Sequence, residues 1–325
     1  MRILVTGSAG HLGEALVRVL SAEGHDVVGL DLLASPWTTV VGSVADRALV
    51  RRSVEGADAV VHAATLHKPH VGTHPRAAFV ETNVAGTLHL LEAAVAAGVG
   101  RFVFTSTTSA FGRALTPPPG APAAWVTEDV VPVPRNVYGV TKTAAEDLCE
   151  LVARDHGLAC VVLRTSRFFP EGDDRDDVRA AYADANLKLN ELLHRRVDLE
   201  DAVSAHRLAI DRAPEIGFGR FIVSATTPFT RDDLAELRAD AAAVVLRRFP
   251  EATAVFAARG WRLPDSIERV YVNERARTAL GWAPVYDFGG ALRRLAAGEE
   301  HRSPLSLTVG AKGYHAVSTG PYTVR

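Results

Sequence analysis

The sequence is short of cysteine, of net charge and of long apolar runs. Of its 325 residues only two are cysteines, Cys149 and Cys160. They give neither metal-ligand spacing nor a disulfide framework, and each sits in an apolar stretch as a small core residue. Lys and Arg number 36 against 38 Asp and Glu, a formal net charge of -2 at pH 7. No basic run alternates with aromatics, so nothing recommends a phosphate backbone or an anionic membrane surface. No apolar run approaches ~18 residues, which removes a spanning helix from the expectations. The first residues, MRILVTG, read as a buried strand entering a glycine turn rather than as a targeting segment. Together these absences point to a reducing, cytoplasmic setting, with neither nucleic acid nor membrane as partner.

What is present is alternation. Short runs rich in Val, Ile and Phe at 2–6, 26–30, 57–63, 101–106, 158–164 and 218–224 are separated by helical patterns. That order predicts parallel strands with crossover helices. Leu12, Ala15, Leu16, Val19 and Leu20 share one helical stripe, and Gly24 follows as a terminator. The expected fold is α/β, a Rossmann-like doubly wound parallel sheet with a smaller C-terminal substrate lobe. Residues 1–165, completed by about 198–225, form the core; 166–197 and 226–298 form the lobe; 299–325 is a polar tail. The Pro-rich stretch 116–125 is a loop insertion. Two long helical patterns with alanine-rich faces, 75–97 and 136–156, predict a homodimer through those helices.

Three local patterns carry chemistry. Gly7, Gly10 and Gly13 stand between a buried strand and an amphipathic helix, where a turn without side chains lets a pyrophosphate reach backbone N–H groups. The spacing is GxxGxxG, which alone is weak. Asp31 closes the second strand, where a carboxylate can accept the ribose hydroxyls of an adenosine, and LLASPW after it holds no Arg for a 2'-phosphate. NAD is therefore preferred to NADP. Asp46 is open to two readings, a contact to the adenine amino group or an N-cap for RALVRRSV. Tyr138 and Lys142 lie one helical turn apart and share a face. A phenol of ordinary pKa ~10 must fall ~3 units to be half ionised near neutrality, about 4 kcal/mol, which a neighbouring ammonium and an oxidised nicotinamide can supply.

The segments TGSAGHLG, Asp31, Asp46, HAA at 62–64, ETNVAGTLHLLEAA at 81–94, TSTTSAFG at 105–112, YGVTK at 138–142 and LGWAP at 280–284 resemble the extended short-chain dehydrogenase/reductase family, the NAD-dependent epimerase/dehydratase group. RVDLEDAVSAH at 196–206 resembles its passage into the last core helix. The resemblance implies Thr107 as the hydroxyl holding the reacting oxygen, Tyr138 as acid/base, and Lys142 on the nicotinamide ribose. It implies cofactor contacts from Gly7, Ala9, Gly10, His11, Leu12, Gly13, Asp31, Asp46, Ala63, Ala64, Asn83, Thr105, Tyr138, Lys142 and Arg164. Ser106 ranks behind Thr107 as a substrate contact.

The pattern also departs from that group. Its dehydratases follow the catalytic Thr with Asp-Glu, whereas Thr108 and Ser109 stand here, which disfavours elimination. Its sugar-nucleotide epimerases show Asn where this chain has Arg167. LRTSRFFPE is similar to the strand ending of uronate dehydrogenases in the same superfamily. Arg167, Arg175 or Arg179 can fork onto a substrate carboxylate or pair with adjacent acids. Ser166 and Phe168 border the nicotinamide side by analogy, and Asp173, Asp174, Asp176 and Asp177 read as solvated loop acids. His62, His67, His70 and His74 invite a metal reading, but His62 belongs to the strand end and His67 with Lys68 suits a polar substrate better; no metal is expected. The resulting expectation is an NAD-dependent oxidoreductase removing hydride from a hydroxyl or hemiacetal carbon of a small sugar-like or uronate-like substrate. The alternatives are an NAD-dependent sugar or sugar-nucleotide epimerase and a non-catalytic NAD-sensing protein.

Overall fold

The computed structural model describes residues 1–173 and 175–313. The expectation of a solvated Asp174, and that for the tail beyond residue 313, lie outside the described residues. Among the described residues nine strands form: β1 (Arg2–Thr6), β2 (Asp26–Asp31), β3 (Val40–Val41), β4 (Ala59–His62), β5 (Arg101–Thr107), β6 (Ala124–Val126), β7 (Ala159–Thr165), β8 (Phe218–Val223) and β9 (Arg269–Tyr271). Seven make one sheet in the order β3-β2-β1-β4-β5-β7-β8, every pair parallel. The chain therefore leaves β1 in one direction and restarts at β4 on its other side. This switch point opens a crevice at the carboxyl ends of β1 and β4, where sheets of this kind take their ligands.

The two-residue alternation of the strands sorts the core. Ile3, Val5, Val61, Val103, Val161 and Leu163 pack on helices His11–Ala22 and Leu199–Ile216. Leu4, Val60, Phe102, Phe104, Cys160 and Val162 face the opposite layer, helices Arg47–Val54, Gly86–Ala96 and Val137–His156. Both cysteines are buried and free, Cys160 within the central sheet. The helical pattern at 75–97 is one run, Arg76–Phe79 and Gly86–Ala96 joined by a π-helical turn at Val80–Ala85.

A second cluster, including Leu189, Val244, Val255, Phe256, Phe288 and Leu292, holds the smaller lobe together. The parallel pair β6 and β9 lies between this cluster, which takes Trp125 and Val270, and a further one that joins Val126 and Tyr271 to Phe111, Leu115 and Ile222. Strands of two or three residues carry too little periodicity to be read in advance. Part of the expected polar tail is also ordered into the fold. Helix Pro304–Val309 is capped by Ser303, buries Val309, and packs Leu305 on the core. Lys312 pairs with Glu14 on the first helix. Among the described residues no helix is long and apolar enough to cross a membrane.

Candidate active site

The turn after β1 needs glycine at two of its three positions. Gly7 has φ +76°, and a Cβ there would meet Ala64 N at 2.8 Å. At Gly13 a Cβ would lie 1.8 Å from Gly7 O, so helix and strand could not close up. At Gly10 the nearest atom to such a Cβ is Gly7 O at 3.3 Å, leaving that side open to an approaching group. Gly10 caps the following helix without any side-chain hydrogen bond, so its first N–H groups point toward the crevice unsatisfied by a cap. Ala63 and Ala64 close the far side, Ala64 N donating to Thr6 Oγ1 at 3.1 Å. This bare cradle fits a dinucleotide pyrophosphate.

Asp31 ends β2 beside it. Its Oδ2 accepts from Ala9 N at 3.0 Å and its Oδ1 from Leu33 N at 2.9 Å, so the carboxylate braces the turn it borders. Asp31→Ala is expected to weaken NAD binding by roughly 10- to 100-fold, the worth of one or two hydrogen bonds to a charged group. Calorimetric titration with NAD checks it, and unchanged affinity would remove Asp31 from the cofactor site. At Asp46 the capping reading is realised: Oδ1 accepts from Ala48 N and Leu49 N, both at 3.0 Å. Leu12 is a core side chain, and His11 turns its ring to Glu171 at 2.9 Å, leaving their backbones to the turn. Asn83 is 2% exposed and saturated by Leu66, Thr65 and Thr141. It fastens the loop after β4 to helix Val137–His156 rather than pointing at a ligand.

The expected hydroxyl, phenol and amine meet at the carboxyl end of β5. Thr107 is the strand's last residue, and its hydroxyl hydrogen-bonds the Tyr138 phenol. Asn136 caps the helix that carries Tyr138 and Lys142, its Oδ1 accepting from Gly139 N at 3.0 Å. Lys142 donates to the Thr105 carbonyl at 2.6 Å and stands 3.9 Å above the Phe104 ring. Thr105 Oγ1 in turn bonds buried His206 Nε2 at 2.8 Å, which places the Thr105 side chain in the core. Burial pushes the phenol of Tyr138 up to about 12, against the Thr107 hydrogen bond. Burial likewise brings the Lys142 amine down to about 7, opposed by the charge of Glu146. The lowered phenol anticipated from Tyr138 and Lys142 is thus not a property of the protein groups alone: with its charge at the Thr105 carbonyl, Lys142 does not offset the desolvation of the ring.

Two expected contacts serve the interior instead. Ser106 donates to Glu146, and Arg164 grips the same carboxylate through Nε at 3.1 Å and Nη2 at 2.8 Å. Arg164 also donates to Glu128 O at 3.2 Å and lies 4.8 Å from the Phe111 ring. Neither side chain faces the crevice, because alternate residues of β5 and β7 point into the helix layer where Glu146 is fully buried. Sequence reading missed Glu146; its place four residues after Lys142 was the available signal.

Beyond β7, Ser166 is buried with its Oγ lacking a hydrogen-bond partner, a group suited to a bound ligand at the strand end. Arg167 pairs with Asp173 and, at 3.0 Å, with Glu191, which also holds Arg195 and Arg196. Arg175 pairs with Asp177, and Arg179 with Asp176. The ion-pair reading is therefore the one realised for each. Asp173, expected in solvent, is buried at 5% exposure by this network. Phe168 packs partly buried against the core. His67, His70 and His74 pack edge to face around the turn Lys68–Gly72 with ring centroids 4.8 and 4.9 Å apart, whereas His62 is buried between Thr6 and Thr87.

A profile of the NAD-dependent epimerase/dehydratase family matches residues 3–217. The chain belongs to that family. It is 34% identical over 225 residues to the 2-alkyl-3-oxoalkanoate reductase of Stenotrophomonas maltophilia, covering 65% of this chain and 66% of that protein. It is 29% identical over 325 residues to the UDP-glucose 4-epimerase of Rhizobium meliloti, covering 88% and 93%. With the dTDP-glucose 4,6-dehydratase of Streptomyces niveus the match, 36% identical, spans 52% of the chain and 55% of the relative. The chain thus aligns with between about half and two-thirds of the reductase and the dehydratase. In structure it is similar to a short-chain dehydrogenase/reductase superfamily protein from Agrobacterium tumefaciens with bound NAD: TM-score 0.64, 27% identity, 91% and 96% of the two chains covered. The Rossmann-like parallel sheet and membership of an NAD-dependent enzyme family agree with the sequence reading.

Proposed function

We propose that this chain binds NAD in the crevice at β1 and β4 and oxidises or reduces a small polyhydroxylated substrate, sugar-like or uronate-like, at a secondary hydroxyl or hemiacetal carbon. The observation carrying this reading is the convergence of Thr107, Tyr138 and Lys142 at the end of β5 in the sheet whose β1 ends in the bare glycine cradle. The cradle of Gly7, Gly10 and Gly13 receives the pyrophosphate, Asp31 the adenosine ribose, and Ser166 borders the nicotinamide side. The nicotinamide supplies or accepts the hydride. Thr107 holds the reacting oxygen beside the phenol. Tyr138, protonated at neutral pH in its buried position, donates its proton to that oxygen during reduction; its phenolate takes the proton back during oxidation. Lys142 holds the nicotinamide ribose and brings positive charge to the phenolate. Thr108 and Ser109 offer no carboxylate for an elimination.

The span between β7 and helix Leu199–Ile216 holds two short helices, Asp176–Ala181 and Asp184–Leu192, which favours a small substrate over a nucleotide-linked one. An epimerase remains the second reading, favoured by the near full-length similarity to a UDP-glucose 4-epimerase. Val80, Val140 and Leu151, exposed on the helices expected to pair, suit a second copy docking there. The reaction test is a panel of uronic acids, aldoses, polyols and sugar nucleotides followed at the NADH absorbance. NADH accumulation with a small sugar or uronate is the expected result. Product formation without net NADH would replace the dehydrogenase with an epimerase.

A further inference from the structure

A cavity of about 550 Å³ opens on the side of the sheet that carries helix Leu199–Ile216. Its walls come from Phe168 and Pro170 after β7, helix Asp184–Leu192, Trp261, Tyr286, and the C-terminal segment from Gly298 to Gly310. Thr107, Tyr138 and Lys142 do not line it, and neither do Gly7 or Asp31. An occupant would touch none of Thr107, Tyr138 and Lys142, although His11 beside the glycine turn and Phe168 after β7 line its wall. The volume falls within the range of about 300–1,000 Å³ usual for organic ligands, far more than an inorganic ion fills.

The charges around the cavity are mostly answered. Lys188 pairs with Asp184, Arg196 with Glu191, Arg302 with Glu300, and His11 with Glu171. Arg259 differs. Its guanidinium donates to two backbone carbonyls, Val255 O at 3.1 Å and Leu295 O at 2.6 Å, and among the described residues it forms no ion pair with a carboxylate. Two of its five N–H groups are so engaged, which leaves three and the positive charge. The Trp261 ring lies 5.7 Å from it, and Phe168, Tyr286 and Leu192 add apolar surface to the same cavity. A partly buried guanidinium beside aromatic walls is the combination that holds a carboxylate bidentately while an apolar body is removed from water.

We propose that this cavity is a second ligand site that binds a small organic carboxylate with an apolar body, the carboxylate on Arg259 and the body against Trp261, Tyr286 and Phe168. The ligand is an effector rather than the reacting molecule, because Thr107, Tyr138 and Lys142 are not among the walls that would hold it. The inference stands independently of which substrate the Tyr138 centre takes.

The test is calorimetric titration of the full chain, saturated with NAD, with benzoate, cyclohexanecarboxylate and hexanoate, and with benzamide as the neutral match for benzoate. The expected result is saturable one-to-one binding of at least one carboxylate, with benzamide weaker by about 10-fold or more, as a lost charge-assisted pair implies. Arg259→Gln should remove the preference for the acid. Ala185→Trp, which fills the cavity from an exposed helix position, should abolish binding of the carboxylate. Thermal unfolding shows whether each variant is folded, and the two act on different walls, so one misfolded protein leaves the other decisive. Absence of saturable binding by all three acids overturns the proposal, as does binding that survives both substitutions.

Discussion

Tyr138→Phe is expected to reduce turnover by about 10²- to 10⁴-fold, the usual worth of a positioned acid/base, while NAD affinity holds. The substitution removes one oxygen from a residue that is 8% exposed and leaves the ring to fill the same space. The hydrogen bond lost is the one to Thr107, so the stability cost should be about 1 kcal/mol, too small to unfold the chain. Burial disfavours the phenolate and pushes Tyr138 up to about 12. Near neutrality the group is therefore a proton donor, ready for reduction, and oxidation waits on added positive charge. In the wild type, oxidation should rise with pH until Lys142 loses its proton and fall beyond that point, while reduction stays flat or falls across the same range. The variant should lose both rates and their pH dependence. Initial rates in both directions between pH 6 and 10, beside NAD titration, check this. Wild-type rates in Tyr138→Phe would remove the phenol from the chemistry, and loss of NAD binding would make it a structural residue instead.

The contrast between what was legible and what was not follows from distance along the chain. The turn at Gly7 to Gly13, the strand-end Asp31 and the pair Tyr138 and Lys142 are local patterns, because strand, turn and helix fix their neighbours within a few residues. Short runs rich in Val, Ile and Phe likewise placed the six longer strands of the main sheet. Side chains whose partners lie far away were not legible. Ser106 and Arg164 meet on Glu146 across three elements, and nothing in TSTTS or VVLRT announces that shared carboxylate. Arg167 stands where a substrate contact was expected, yet Glu191, 24 positions later, claims it. The same holds for β6 and β9, paired across more than 140 residues by three registers. A buried charge takes its meaning from its whole surroundings, and a single sequence shows only the part of them that is contiguous.

Glu146→Gln should lower turnover near neutral pH and move its alkaline limit downward, because Glu146 opposes the burial that strips the proton from Lys142. Lys142 is 1% exposed and its amine is brought from the ordinary 10.5 to about 7, with Glu146 the first opposing influence. The charged form, which supports the Tyr138 phenolate, is therefore lost as pH rises through about 7. Removing the carboxylate charge lowers that boundary further, so the variant loses its ammonium where the wild type still retains part of it. Stability follows the same linkage. A lysine depressed on folding binds fewer protons in the native than in the unfolded chain between about 7 and 10.5, so its penalty eases as pH rises through that window. Lys142→Met should flatten this slope in urea unfolding at pH 7 and pH 10. Glu146→Gln also strands Arg164, and leaving that buried charge unpaired costs about 3–5 kcal/mol, whereas Arg220 keeps Asp147 and Glu150. The milder Ser106→Ala, which keeps the charge and deletes one hydroxyl, separates the two effects. It should leave the alkaline limit in place, whereas an unshifted limit in folded Glu146→Gln would show that the carboxylate holds β5, β7 and the helix together without tuning Lys142.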